Sequence, residues 1–184
     1  MPNASVQIAA SDLEAEGPLL ITHWGLSGPA ILRLSAWGAR ELSDRFYRFP
    51  ILINWLGRDE EEVLDLLSDE KKSNGKKRLG NHAMFGIPLR LWKSMVEAAG
   101  IKSTATWGDI SGKQLKNLCS ELTGAVFQVT GKSTFKEEFV TAGGVDLKEI
   151  DFKSFQSRLR PNLYLAGEIL NIDGITGGFN FQAA

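Results

Sequence analysis

The residues best placed to do chemistry lie near the end of the chain, where one carboxylate, Glu168, precedes a run of glycines. Residues 163–166 are a short apolar run that reads as a buried strand, and Gly167-Glu168 follows where that strand ends. Asp173-Gly174 and Gly177-Gly178 are turn pairs. Phe179, Asn180 and Phe181 then open what reads as the first turn of a helix. Strand, carboxylate, glycine-rich loop and helix start form an order that suits a nucleotide cofactor. Glycines let the backbone approach a ligand, and free N–H groups at a helix start favour electron-rich groups. A carboxylate just past a strand can accept hydrogen bonds from ribose or ribityl hydroxyls. By spacing alone, a plain glycine-rich connection on an α/β sheet explains the run equally well. Asp173 suits an Asx turn ahead of Gly174, with direct cofactor contact as its weaker use.

A second group is His23, Trp24 and Ser27, beside the helix start Ser27-Gly28-Pro29. A histidine there can act as acid or base or hold an anionic group; a hydrogen-bonded structural histidine is the commoner use. His82 stands alone in a polar stretch. Two histidines and one cysteine, far apart, have no metal-ligand spacing. Cys119, the sole cysteine, excludes an internal disulfide and a C-x-x-C redox pair. Lys71, Lys72, Lys76, Lys77 and Arg78 form a basic run that could meet phosphate or nucleic acid. With no aromatic residue inside it, it reads rather as a solvated helix end and loop.

Three stretches resemble one family. Tyr164-Leu-Ala-Gly-Glu168 with Asp173-Gly-Ile-Thr-Gly-Gly-Phe-Asn180 resembles the C-terminal flavin motif of flavoproteins described as NAD(P)/FAD-dependent oxidoreductases, or aminoacetone-oxidase-like FAD-binding enzymes. Thr22-His-Trp-Gly-Leu-Ser-Gly-Pro-Ala30 resembles the signature of that family's inserted domain. Val140-Thr-Ala-Gly-Gly-Val145, with Glu149-Ile-Asp151, resembles the segment leading back into the flavin domain. The resemblance implies FAD as cofactor and leaves NAD(P)H open as electron donor. It places Gly167, Glu168, Asp173, Gly174, Gly177, Gly178, Phe179, Asn180 and Phe181 against the flavin, and His23, Trp24 and Ser27 on the substrate side. It implies no catalytic acid or base and no substrate. Family chains open on a Rossmann strand and a G-x-G-x-x-G turn, which this sequence lacks, so it reads as a fragment. A binding or interaction module unable to hold FAD by itself is the rival reading.

These residues need elements to position them. The chain has 184 residues, 43% hydrophobic and 23% charged, enough for a real core. The net charge of −1 gives no overall pull toward nucleic acid or anionic lipid, so neither is expected as a partner. No apolar run reaches a membrane span, and the first residues lack a signal-peptide pattern, so a cytoplasmic location is expected. Residues 5–10 and 18–22 read as strands, and residues 13–17 as a turn. Pro29 opens a helix with Ala30, Ile31, Leu34 and Ser35 as its buried stripe. Residues 46–56 suit one or two strands, with Pro50 marking an edge or a break. Asp59 caps a helix that Glu60, Glu61 and Glu62 favour at its positive end. Pro88 opens another, with Leu91, Trp92, Met95, Val96 and Ala99 on one side and Gly100 after it. Asp109 or Ser111 caps a third, striped by Leu115, Leu118, Cys119 and Leu122. Residues 125–130 alternate as a strand, 139–141 suit another, and 153–160 form a polar connection.

The expected fold class is α+β. A β-rich, barrel-like inserted domain (1–57 and 125–140) carries a small helical subdomain (58–124), followed by the C-terminal segment of an α/β FAD-binding domain (141–184). A lone apolar strand at 163–166 would have an open edge, which favours self-association. The isolated chain should hold FAD weakly or not at all, because the glycine turn that seats the pyrophosphate is missing. Near-stoichiometric FAD carried through gel filtration would contradict this.

Overall fold

A computed structural model of the protein describes residues 1–133, 142–172 and 174. Strands β1 (Ala4–Ile8) and β2 (Glu14–Gly17) form a hairpin. β3 (Leu20–Ile21) and β4 (Leu26–Ser27) form a second, very short one. Helices α1 (Pro29–Trp37) and α2 (Ala39–Asp44) lead to β5 (Phe49–Asn54). Then come α3 (Glu60–Ser73), α4 (Leu89–Ala98), α5 (Gly112–Thr123) and β6 (Ala125–Val129). A last hairpin joins β7 (Ile150–Asp151) to β8 (Gln156–Ser157).

The main sheet is antiparallel, in the order β2-β1-β5-β6. Its inward face follows from period-two alternation: Ala4, Val6 and Ile8 on β1 and Phe49, Ile51 and Ile53 on β5 are buried. Val6 lies opposite Ile53 and Ile8 opposite Ile51, so these side chains share one face. The barrel-like form expected of the inserted domain does not close among the described residues. Among the described residues the sheet stays open, with β2 and β6 at its edges, and the α+β class holds in this open form.

Of residues 13–17, expected to be a turn, Glu14–Gly17 are strand. β2 puts only Ala15 into the core, and Glu14 and Glu16 face solvent, a charged edge that discourages further pairing. Pro50 is also placed differently from expectation, since β5 lies inside the sheet. Its carbonyl accepts from Ala9 N–H at 3.0 Å, just past the end of β1. The missing N–H falls on that same side, where no ladder bond remains to be lost. In α1, Ala30 and Leu34 are buried and Ile31 partly so. Ser35 faces solvent and donates to the Leu32 carbonyl.

The helices follow their local chemistry closely. Asp59 accepts from Glu61 N–H at 2.8 Å, three glutamates fill the first turn of α3, and Lys71 and Lys72 its last. Lys71 also donates to the Ile110 carbonyl. Ser111 and Gln114 form a capping box on α5. Asp109 instead serves a short 3-10 turn, bonded to Thr106. α4 ends in a Schellman motif: Gly100, at φ +74°, donates to Glu97, and Ile101 donates to Val96. Leu115, Leu118, Cys119 and Leu122 are all buried, and sheet and helices share one continuous core. Leu118 is fully buried in it, so Leu118→Ala should cost about 2–5 kcal/mol. Urea denaturation with an unchanged m-value would read this out.

Candidate functional site

Two places carry the candidate residues. The first is the hairpin β3–β4. Thr22 N–H and Oγ1 both donate to the Gly25 carbonyl, at 2.8 and 3.0 Å, leaving His23 and Trp24 at the tip. Sequence reasoning put these two beside a helix start. The structure puts them on a projecting turn, with only Ser27, half-buried in β4, close to α1. The rings of His23 and Trp24 lie 3.6 Å apart, tilted by 48°, and both are exposed. Leu20 and Ile21 are exposed beneath them, so the hairpin presents an apolar stem and an aromatic tip.

Gly28 fixes this hairpin against α1. Its φ is +97°, and a Cβ there would lie 2.8 Å from the Pro18 carbonyl oxygen and 3.1 Å from Leu20 N. The same Pro18 carbonyl accepts from Ala30 N–H at 3.2 Å, which ties the helix start to the residue that leads into the hairpin. A side chain at position 28 would break this close approach.

The second place is the tail. Residues 163–166 were expected to form a buried strand. They run extended but exposed at Leu163 and Tyr164, bonded along one edge to β8: Ser157 N–H donates to Leu163 and Leu165 N–H to Phe155. One short hairpin edge gives such a segment a partner for its backbone but no layer to cover its side chains. Residues 153–160, expected to be a plain polar connection, contain β8 and the exposed Phe155 and Leu159. Gly167 and Leu170 close a turn at 3.0 Å that holds Glu168 out in solvent. Val145 N–H donates to Ile169 and Asn171 N–H to Val145, fixing this turn beneath Gly144; Ile150 and Leu170 are fully buried. Arg40 on α2 donates to Asn171 at 2.6 Å, tying the tail to the main body. Gly174 is half-buried. Asp173, Gly177, Gly178, Phe179, Asn180 and Phe181, and the strand expected at 139–141, lie outside the described residues.

Cys119 has no place in either site. Burial, and next the nearby Glu60 charge, push its thiol up to about 11, and it donates to the Glu60 carbonyl. It is a protonated packing residue, not a nucleophile. No group of side chains suited to hold a metal ion occurs among the described residues. Nor is any of their helices long and apolar enough to cross a membrane.

Residues 1–140 match the family described as "HI0933-like protein barrel and H2TH domain". The chain belongs to this flavoprotein-like family. Among curated proteins it is similar to a ribosomal RNA dihydrouridine synthase of Escherichia coli, 32% identical over 172 residues. That match covers 90% of this chain and 39% of the relative. A protein of the same description from Haemophilus influenzae is 31% identical, with the same shares. A 3-dehydro-bile acid delta(4,6)-reductase of Clostridium scindens is 25% identical, covering 97% of this chain and 43% of the relative. The chain thus spans about two fifths of the length of these relatives.

Gly28→Ala should lower stability by about 1–3 kcal/mol and loosen the β3–β4 hairpin, through overpacking and a strained backbone. Thermal melting and the amide exchange of Thr22, whose N–H is bonded to Gly25, would show both effects together. Loss of stability without faster exchange at the hairpin would mean that Gly28 does not hold it.

Proposed function

We propose that this chain is the substrate-facing part of a FAD-dependent reductase. The single observation that carries the reading is membership of a flavoprotein-like family, together with relatives whose names describe reductions. Dihydrouridine is uridine with two hydrogens added to its ring double bond, and the bile acid enzyme is named for ring double bonds. The common chemistry is addition of hydrogen across a carbon–carbon double bond in a flat, carbonyl-bearing ring. A ribosomal RNA uridine is the favoured substrate class, since those two relatives have the higher identity. In this reading residues 1–57 and 125–140 make the inserted domain, 58–124 its helical subdomain, and 141–184 the returning part of the flavin domain.

The described residues fit one edge of a flavin nucleotide site. Glu168 is an exposed carboxylate on a turn braced from below by Val145 and Leu170, so it can accept hydroxyl hydrogen bonds without first breaking a buried contact. The cofactor, when bound, supplies the hydride. Trp24 offers a broad aromatic face on which a planar ring can stack. His23, in ring contact with it, carries ring nitrogens that can donate or accept a hydrogen bond beside a stacked ring. Exposed Leu163, Tyr164 and Ile169 support packing of the tail on further protein, and self-association of the chain where that protein is absent.

The test needs the full-length protein. Glu168→Ala should weaken FAD binding about ten- to a hundredfold, the worth of a charge-assisted hydrogen bond. His23→Ala should keep FAD bound and lower turnover instead. Fluorescence titration of the apoprotein gives the affinities, and dihydrouridine formed on ribosomal RNA gives turnover at saturating FAD. Unchanged FAD affinity in Glu168→Ala would remove that residue from the site. Loss of FAD in a folded His23→Ala would overturn the division of roles.

A further inference from the structure

The sequence places five cations between residues 71 and 78, in a chain whose net charge is −1. The structure changes their reading from a solvated loop to a fixed edge. Residues 74–77 close a turn, with Lys77 N–H donating to Asn74 at 2.8 Å, and short 3-10 turns follow at Leu79–Asn81 and Trp107–Asp109, so 75–79 and 105–108 lie side by side as a short looped ribbon. Trp107 N–H donates to Lys77 at 3.0 Å, Leu79 N–H to Ala105 at 3.1 Å, and Gly108 N–H to Gly75 at 2.8 Å. Arg78 and Thr106 face each other as an antiparallel bridge. Leu79 is fully buried, and its carbonyl accepts from the buried indole of Trp92 at 2.8 Å. The ribbon is therefore anchored at one end in the core.

Lys76, Lys77 and Arg78 are exposed on this ribbon. The neighbouring carboxylates are engaged elsewhere: Asp69 with Lys72, Glu70 with Asn74, and Asp109 with Thr106. Among the described residues no ion pair reaches Lys76, Lys77 or Arg78. Exposed Lys102 and Thr104 precede the facing segment, in which Thr106 caps the 3-10 turn Trp107–Asp109. The ribbon thus offers three exposed cations outside these ion pairs on a backbone already tied by cross-segment hydrogen bonds, which lowers the entropic cost of binding. Such a surface fits a polyanion of regular charge spacing.

We propose that the ribbon 75–79 with 105–108 grips the phosphate backbone of folded RNA through Lys76, Lys77 and Arg78. This rests on the reading of a ribosomal RNA substrate and names the surface that would hold it. These contacts position the RNA and carry no base sequence. They lie on the helical block, away in the chain from His23 and Trp24.

The experiment is fluorescence anisotropy of this chain with a fluorescein-labelled ribosomal RNA hairpin, titrated over a series of KCl concentrations. Lys76→Gln, Lys77→Gln and Arg78→Gln combined should weaken binding at least about tenfold. The slope of log affinity against log salt should become shallower by about 2–3, near 0.9 for each lost phosphate contact. Removing three exposed lysines of the same block, Lys93, Lys113 and Lys116, should leave slope and affinity close to the parent. If the triple variant melts early, Lys76→Gln and Arg78→Gln singly should each lower the slope by about 1. RNA binding by the parent chain with no change in any of these variants overturns the ribbon and leaves an RNA substrate standing. No RNA binding by the parent chain at low salt also overturns the ribbon, while dihydrouridine formation by the full-length protein still decides the substrate. Equal, ribbon-dependent binding to phosphatidylserine vesicles would overturn RNA as the occupant.

Discussion

The structure depends on one buried face. Phe49, Ile51 and Ile53 of β5 lie between Val6 and Ile8 on one side and the β6 strand on the other, and the same core takes in Leu118 and Leu122 of α5. Register follows from this, because a slip of one residue would turn the whole apolar row of β5 to the opposite face. The end of the strand is tied to the helix as well: Trp55 N–H donates to the Leu122 carbonyl at 3.0 Å. The Trp55 indole is buried with no hydrogen-bond partner among the described residues, edge-on to Phe127 at 5.9 Å. An unpaired indole N–H costs stability, so the packing around it has to outweigh that loss.

Where side-chain chemistry decides an element, the sequence was readable. Asp59 with its glutamates, Ser111 with Gln114, and Gly100 after α4 each name a helix end by a local hydrogen bond. The stripe Leu115, Leu118, Cys119, Leu122 names the buried face of α5 without any tertiary knowledge. Where the tertiary setting decides, it was not. β2 shows one small apolar residue between two glutamates, which resembles a turn until β1 is beside it. α2 starts directly after Gly38, a residue that reads as a stop. Phe46 and Tyr47 take left-handed conformations that no glycine or asparagine signals. Pro50 is accommodated because β1 happens to end there, a fact about another strand.

The site was legible to a similar degree. The carboxylate and the glycines gave no sign that Glu168 sits on an exposed turn rather than after a buried strand. His23 and Trp24 sit on a hairpin tip, a place the sequence hides because a two-residue tip looks like the lead-in to the helix that follows. The basic run showed its charge but not its stiffness, which comes from residues about thirty positions later.

The helical block leaves the sheet after β5 and returns into β6, and those two strands are hydrogen-bonded neighbours, with Ile53 opposite Ala125. An excursion that begins and ends on the same rung, and that shares its core with the sheet, cannot swing as an independent arm. The cationic ribbon at 75–79 is thereby carried in step with the strands, and a polyanion held there, as proposed above, would keep one bearing on the sheet instead of riding on a loose arm.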